Sequence, residues 1–189
     1  MVNQSKPEVA IFGGSFDPPH RGHQEIVLKA VEHLDIDRLI IVPAYLNPFK
    51  SASLASAQKR LKWCHQLFDD IPKVTVDDYE IKQGKSIRTS QSVKYFNRIY
   101  KVKYLIIGSD NLSTLTQWHA FDWLNKTVTW VIATRENHFL DTDMLNSWKL
   151  LEIDFPVSSS AIREKRDLHY IDSKIRKSVQ ETINDNKKG

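Results

Sequence analysis

The chain has 189 residues, of which 41% are hydrophobic and 26% charged, which excludes a disordered or fibrous protein and allows a sizeable core. The net charge of +4 and the pI of about 9.1 fit a nucleic-acid binder or an enzyme for phosphorylated substrates, and they decide between neither because the basic residues are spread along the chain. The single cysteine excludes an intrachain disulfide, and no apolar run approaches membrane-spanning length, so we expect a cytoplasmic protein without a membrane partner.

Short apolar runs alternate with segments of helical periodicity along the chain. The first predicted strand, at 9–12, leads into a glycine turn at 13–23, and an amphipathic helix follows at 24–34. Further strands are predicted at 39–42, 74–81, 104–107, 128–133 and 150–153. Helices are predicted at 55–69 and on the positions 93–100, and another on Leu112, Leu115 and the cluster 118–123. The segment 158–165 is predicted as a loop and the start of a helix. A final surface helix is predicted on Ile171, Ile175, Val179 and Ile183.

This alternation predicts an α/β fold, with a Rossmann-like doubly wound parallel sheet and helices on both faces. We expect residues 1–189 to form a single domain, with a C-terminal helical segment at about 158–185. Ligands of such sheets bind outside the carboxyl ends of the strands, at the point where the strand order reverses. The loops 13–23, 43–50 and 108–111 each follow a predicted strand, so we expect one composite site there.

The turn after the first strand reads GGSFDPPHRGH. Its adjacent glycines, with no Gly-Lys-Ser/Thr and no GxGxxG spacing, exclude a Walker loop and a dinucleotide fingerprint. His20 and His23 lie three residues apart at the start of a helix, where free N–H groups and the helix dipole favour an anionic phosphate. Zinc is disfavoured because the other histidines are scattered and Cys64 is alone. We interpret this turn as a phosphate site.

A second motif, VSSSAIR at 157–163, opens the predicted C-terminal segment. Its serines could be helix caps, and Arg163 could be a solvated charge. Hydroxyls, N–H groups and an arginine at a helix start could equally hold a di- or triphosphate. Both interpretations of this motif stay open when it is considered alone.

Together, the two motifs resemble those of the nucleotidyltransferase α/β-phosphodiesterase superfamily. Within it, the chain is similar to the bacterial nicotinate-nucleotide adenylyltransferases from Val9 to about Ile183, including the segments NPFK at 47–50, IGSDN at 107–111, WH at 118–119 and ATR at 133–135. The resemblance implies that nicotinate mononucleotide attacks the α-phosphate of ATP with Mg²⁺, giving the deamido dinucleotide and pyrophosphate in NAD biosynthesis. The implied partners are ATP and nicotinate mononucleotide, without nucleic acid.

The resemblance also implies roles for individual residues. Those implied to neutralise charge in the reaction are His20, His23 and Arg163. Those implied to bind ATP are Gly13, Gly14, Ser15, Phe16, Asp110, Arg135, Ser158 and Ser159. Those implied to bind the acceptor are Lys50, Thr89, Trp118 and His119, and no side chain is assigned to a metal. Each of the middle residues also has a structural interpretation, since Trp118 could be core, Asp110 a helix cap, and Arg135 and Lys50 solvated charges.

One departure from the family pattern bears on the acceptor. The family usually has Ser-Tyr-Thr after the third strand, where this chain has SIRTSQSV at 86–93, with Arg88 and no tyrosine. Two rival acceptors therefore stay open, 4′-phosphopantetheine and the amidated nicotinamide mononucleotide. The pantetheine-phosphate adenylyltransferases, which use the first of these, usually have Thr in place of His20. The alternatives outside catalysis are a nucleotide sensor and a nucleic-acid-binding domain. The sequence predicts no oligomeric state.

Overall fold

The computed structural model describes residues 5–49, 51–134, 140–155 and 157–186. Within these residues, six parallel strands form one sheet in the order β3-β2-β1-β4-β5-β6. The strands are β1 (Glu8–Gly14), β2 (Arg38–Pro43), β3 (Val74–Val76), β4 (Lys101–Gly108), β5 (Thr129–Thr134) and β6 (Trp148–Glu152). The strand order reverses between β1 and β4, as in a doubly wound sheet. The predicted Rossmann-like fold is confirmed.

Helices cover both faces of this sheet. They are α1 (Arg21–His33), α2 (Ala57–Phe68), α3 (Tyr79–Lys82), α4 (Thr89–Phe96), a 3₁₀ helix (Ser109–Gln117), α5 (Phe121–Thr127), α6 (Ser159–Lys165) and α7 (Ser173–Asp185). The first core lies on the sheet face of Ala10 and Phe12, under α1, α2, α6 and α7. The second core lies on the face of Val9 and Ile11, under α4, the 3₁₀ helix and α5. None of the helices in the described part of the chain could span a membrane.

The continuous apolar strands follow from this double cover. In β2, Leu39 and Ile41 point into the first core while Ile40 and Val42 point into the second, so none of the four reaches solvent. A strand buried on both faces cannot alternate apolar with polar residues. Such strands are fixed in the centre of the molecule, and they hold the loops at their carboxyl ends in place.

The four-residue repeat near the C-terminus places α7 on the first core. Ile175, Val179 and Ile183 form its buried stripe, while the rest of the helix faces outward. Asp172 caps the helix, because its Oδ1 accepts the backbone N–H of Lys174 at 2.9 Å. The chain therefore returns to the same face of the sheet that α1 and α2 cover.

Two predicted elements were wrong in their extent. The strand predicted at 74–81 ends at Val76, because the Asp77 carboxylate accepts the N–H of Tyr79 at 2.8 Å and the short helix α3 begins there. The helix predicted through 112–123 is divided into the 3₁₀ helix and α5. Ala120 separates them with a left-handed φ of 58°, which no α-helix can continue through.

Candidate active site

The turn after β1 forms the first wall of the site. Gly13 is exposed and Gly14 and Ser15 are half-buried, so these residues face the carboxyl edge of the sheet. A Cβ atom on Gly14 would lie 3.2 Å from the ring of Phe16, which explains the glycine. Phe16 is only 1% exposed and packs against Phe12, with ring centroids 5.4 Å apart. Phe16, expected at the ATP, therefore supports the turn from the core side.

The two histidines of the turn lie together, as their spacing predicted. Their ring centroids are 3.8 Å apart, although His20 caps α1 and precedes its first residue. The backbone N–H of His20 donates to Nδ1 of His23 at 3.1 Å. Because Nδ1 accepts this bond, the neutral His23 ring carries its proton on Nε2. Nε2–H is therefore the donor of the neutral His23 ring.

Gly22, between the histidines, was given no role from the sequence. A Cβ atom there would lie 3.1 Å from Cε1 and Nδ1 of His20 and 3.5 Å from Cγ1 of Val157. Contacts of 3.1 Å are tighter than ordinary van der Waals packing, so any side chain would displace the His20 ring. The glycine of the H-x-G-H spacing is therefore a packing requirement of the first histidine.

The second motif forms the opposite wall and touches the first directly. Nη1 of Arg163 donates to the Asp17 carbonyl at 2.6 Å, and Oγ of Ser159 donates to the Pro18 carbonyl at 2.9 Å. These pairs are 146 and 141 residues apart in the chain. The structure thus brings the two sequence motifs into one site.

The serines of the second motif differ in what they can still donate. Oγ of Ser158 accepts the N–H of Ala161 at 3.1 Å, which confirms the capping interpretation and leaves its O–H as a donor. The O–H of Ser159 is already used on Pro18. Nη2 of Arg163 also donates to Ser160 at 3.0 Å. Among the described residues, Arg163 uses two of its five N–H groups, which leaves the others for an anion.

Asp17, which was assigned no role from the sequence, is a buried junction beneath this site. Its carboxylate accepts the backbone N–H groups of Leu54 and Ala55 at 2.7 and 3.0 Å. Its carbonyl accepts Arg163, so one residue joins the segment before α2 to α6. The fully buried Arg60 was also missed, because its partners are distant backbone carbonyls that leave no local pattern.

The residues predicted after β4 lie at the same edge of the sheet. Asp110 is exposed in the first turn of the 3₁₀ helix, and its Oδ1 accepts Nδ2 of Asn111 at 3.1 Å. Gly108 precedes that helix, and a Cβ atom on it would collide with the Asp110 carboxylate. The capping alternative for Asp110 is wrong, since no side chain caps this helix. Asp110 lies two residues after β4, the strand that neighbours β1.

Two of the predicted acceptor residues are joined through a third. Thr89 begins α4, and Oγ of the next residue, Ser90, is hydrogen bonded to Nδ1 of His119 at 2.9 Å. Trp118 packs edge-on against Trp130 with ring centroids 6.3 Å apart, in partial agreement with a core position. Its Nε1 is buried and has no acceptor within the described ranges. An unsatisfied buried N–H is costly, so a ligand acceptor there would be favourable.

Arg88 and two predicted residues need separate mention. Arg88 is exposed immediately before α4, and its backbone N–H donates to Oε1 of Gln91 at 3.0 Å. The predictions for Lys50 and Arg135 fall outside the described residues. In the part of the chain that is described, no group of three or more His, Cys, Asp or Glu residues is arranged to hold a metal ion.

A buried carboxyl group fixes the orientation of α4. Glu80, on α3, is 7% exposed and accepts the hydroxyl of Ser92 at 2.6 Å. Burial raises the pKa of Glu80 from 4.5 to about 7, and the Ser92 bond opposes that shift only in part. The helix that begins with Thr89 is therefore attached to α3 by a group that titrates near neutral pH.

Replacing Glu80 with glutamine is expected to make stability less dependent on pH. Since the folded-state pKa is raised, the folded protein binds the proton more tightly, and wild-type stability falls as pH rises from about 4.5 to about 7. Glu80→Gln should therefore gain up to about 3 kcal/mol over wild type across that range. Urea unfolding at pH 5 and pH 8 measures the difference, with the exposed Glu181→Gln as the matched control. Parallel curves for wild type and Glu80→Gln would contradict the buried titration.

Comparisons with known proteins show the family of this chain and its fold. Residues 11–165 match the cytidylyltransferase-like family model. A probable nicotinate-nucleotide adenylyltransferase of a Sulfurovum species is 72% identical over 99% of this chain and 100% of the relative. Another, from Campylobacter jejuni, is 41% identical over 92% of this chain and 94% of its own. The fold is that of Plasmodium falciparum nicotinic acid mononucleotide adenylyltransferase complexed with NaAD, with a TM-score of 0.71, 20% identity and 95% coverage of both chains.

Proposed function

Because this chain belongs to the cytidylyltransferase-like family, and within it to the nicotinate-nucleotide adenylyltransferases, we propose that it transfers the adenylyl group of ATP to nicotinate mononucleotide. The products are nicotinate adenine dinucleotide and pyrophosphate, in NAD biosynthesis. The observation that carries this function is the direct contact of the two motifs, Arg163 with Asp17 and Ser159 with Pro18. That contact brings donor groups from two distant segments of the chain to one site, which we call the cleft.

The reaction requires donors more than it requires a base. An oxygen of the acceptor phosphate bonds to the α-phosphorus, and the bond from that phosphorus to the bridging oxygen breaks, so that pyrophosphate leaves with the electron pair. A phosphate monoester has a second pKa of about 6 and is already largely dianionic near neutral pH. The protein's contribution is therefore positioning and stabilisation of the charge that builds on the leaving group.

The geometry supports a division of labour in the cleft. Nε2–H of His23 would act at the α-phosphate, with the ring of His20 beside it at an interplanar angle of 36°. The remaining N–H groups of Arg163 and the O–H of Ser158 would hold the β- and γ-phosphates. The exposed backbone at Gly13 brings no side chain between these groups and the ligand. All of these groups are donors, which matches a polyanion.

Mg²⁺ belongs to this proposal as a companion of ATP. The groups lining the cleft are imidazole, guanidinium, hydroxyl and amide donors, and the carboxylate of Asp17 is turned away to the N–H groups of Leu54 and Ala55. This donor set fits Mg²⁺ only when phosphate oxygens and water supply its ligands. Bound in that way, the ion would neutralise charge on the phosphates.

The acceptor would lie between α4 and the segment after the 3₁₀ helix. The Ser90–His119 hydrogen bond holds the backbone at Thr89 and His119 together, which suits the carboxylate of nicotinate. The buried Nε1–H of Trp118 would donate to a hydrogen-bond acceptor on the ligand. The exposed Asp110 would bind a ribose hydroxyl.

Replacing Trp118 with alanine is expected to weaken the acceptor and leave ATP unaffected. The family resemblance implies that Trp118 stacks on the pyridine ring of the acceptor, and loss of one stacking ring costs about 1–3 kcal/mol in comparable base–aromatic contacts. Steady-state KM values for nicotinate mononucleotide and ATP measure the effect. Trp123→Ala is the matched control, since Trp123 packs against the same second core and lies under Nζ of Lys94. An unchanged acceptor KM in folded Trp118→Ala would instead assign Trp118 to the core.

The function is tested with purified protein, ATP and Mg²⁺. Nicotinate mononucleotide, nicotinamide mononucleotide and 4′-phosphopantetheine are supplied separately, and pyrophosphate release is measured against a reaction without acceptor. We expect the highest kcat/KM with nicotinate mononucleotide. Turnover with 4′-phosphopantetheine and none with nicotinate mononucleotide would overturn the proposed acceptor. Pyrophosphate from none of the three would overturn the activity and favour a nucleotide sensor.

A further inference from the structure

Arg60 lies in the helix that the sequence predicts at 55–69, and the sequence pattern assigns this charged residue no role. It lies on α2 and is 0% exposed. Burying a guanidinium away from water is strongly unfavourable unless its N–H groups find partners. Burial lowers the pKa of Arg60, and the nearby charge of Asp17 opposes that change. Burial of Arg60 therefore costs free energy, which hydrogen bonds to its N–H groups have to offset.

Backbone carbonyls satisfy this guanidinium. Its Nη1 donates to the carbonyls of Ser15 and Ala44, each at 2.6 Å, and its Nη2 donates to that of Tyr45 at 2.6 Å. Its Nε donates to the carbonyl of Ala55 at 3.2 Å, two residues before its own helix begins. Four hydrogen bonds thus converge from three segments on one planar group. Only arginine has a fork of donors that can reach them together.

The first two of these segments are the loops after β1 and β2. Ser15 belongs to the turn that carries the histidines, and Ala44 and Tyr45 follow β2 directly. The Ala44 N–H also donates to the Gly14 carbonyl at 2.9 Å, so the loops are already adjacent at the sheet edge. Beyond that point neither loop continues the sheet, and Arg60 is the group that joins them.

We propose that Arg60 is a positioning residue for adenylyl transfer, which fixes the loop after β1 against the loop after β2 beneath the reacting phosphates. It touches no substrate, since it is wholly buried. Its effect passes through Ser15 to the phosphate turn, where Arg163 and Ser159 hold Asp17 and Pro18 from the other side. The turn is thus clamped between α2 and α6. This inference rests on the proposed function.

The test compares Arg60→Lys with Trp63→Phe. Lysine keeps the charge, but one nitrogen cannot serve four carbonyls in the arginine geometry. Trp63 is equally buried on α2 and its Nε1 donates to Oγ of Ser178 on α7, so its replacement disturbs the same helix and removes none of the hydrogen bonds from Arg60 to the loops. Each variant is assayed for kcat, both KM values and Tm, at a temperature where all proteins are fully folded.

We expect Arg60→Lys to lower kcat by about 10- to 100-fold, because small misplacements of reacting groups cost that much. Trp63→Phe should keep kcat within about twofold for a similar loss of Tm. Amide hydrogen exchange should rise at 13–20 and 44–49 in Arg60→Lys alone. Wild-type kcat in folded Arg60→Lys would overturn the proposal, whatever its Tm.

A second variant decides the matter if Arg60→Lys does not fold. Arg60→Gln removes the buried charge and keeps one amide group with two N–H donors, which cannot serve the four carbonyls that Arg60 joins. A lowered kcat with unchanged KM for ATP supports the proposal, and wild-type kcat overturns it. The assay follows pyrophosphate from whichever acceptor the wild type uses. A wrong acceptor would therefore overturn the proposed function and leave the test of Arg60 intact.

Discussion

Replacing His23 with alanine is expected to lower kcat by about 10²-fold or more, as when a preorganised donor to developing charge is removed. The hydrogen bond from the His20 N–H to Nδ1 sets the tautomer of His23, so the donor lost is Nε2–H. The ring is also fixed by packing, with its centroid 5.0 Å from that of Phe16. Such a donor needs no reorganisation when charge develops on the phosphates.

Steady-state pyrophosphate release at saturating ATP and acceptor measures this effect. His23→Gln should recover part of the loss, because its amide N–H lies at about the reach of Nε2. His33→Ala changes an exposed histidine at the other end of α1 and is the matched control. Normal turnover in folded His23→Ala would remove the histidine from the mechanism.

Replacing Arg163 with methionine is expected to lower kcat/KM for ATP by about 10²- to 10³-fold. Two contributions are lost together. One is the charge and the N–H groups available to the phosphates, and the other is the bond to the Asp17 carbonyl that holds the first motif. Arg163→Lys should recover part of the charge effect but not the fork that reaches Asp17 and Ser160 at once.

The control for this substitution is Lys165→Met, which removes an exposed positive charge from the same helix. Measurements at two ionic strengths separate general attraction of ATP from direct contact, because salt screens exposed charges more than half-buried ones. Equal losses in the two variants would mean that Arg163 acts only through the net charge of α6.

The sequence was sufficient for the fold because the strongest signals were local. Strands buried on both faces are continuous apolar runs, and β1, β2, β4 and β5 are of that kind. The extent of β3 was misjudged for the same reason. Tyr79 and Ile81 alternate with polar residues but are out of phase with Val74 and Val76, and the Asp77 carboxylate starts a helical turn between the two pairs.

The site was predictable where its residues are neighbours in the chain. The H-x-G-H spacing placed His20 beside His23, and the serine–arginine segment was placed opposite them only through resemblance. Arg60 could not be found, since its carbonyl partners at Ser15 and Ala44 are 45 and 16 residues away and have no side-chain signature. Trp118 keeps both interpretations, because it packs on Trp130 and also presents a buried N–H.

The contacts of Arg163 and Ser159 with Asp17 and Pro18 have a consequence for synthesis on the ribosome. The first motif is made early, and its partners are added 141 and 146 residues later. Contacts between such distant positions form late in folding, since the loop they close is long. A nascent chain that still lacks α6 has the histidines but not the opposite wall. The two walls of the proposed ATP site can therefore meet only after Arg163 has been synthesised.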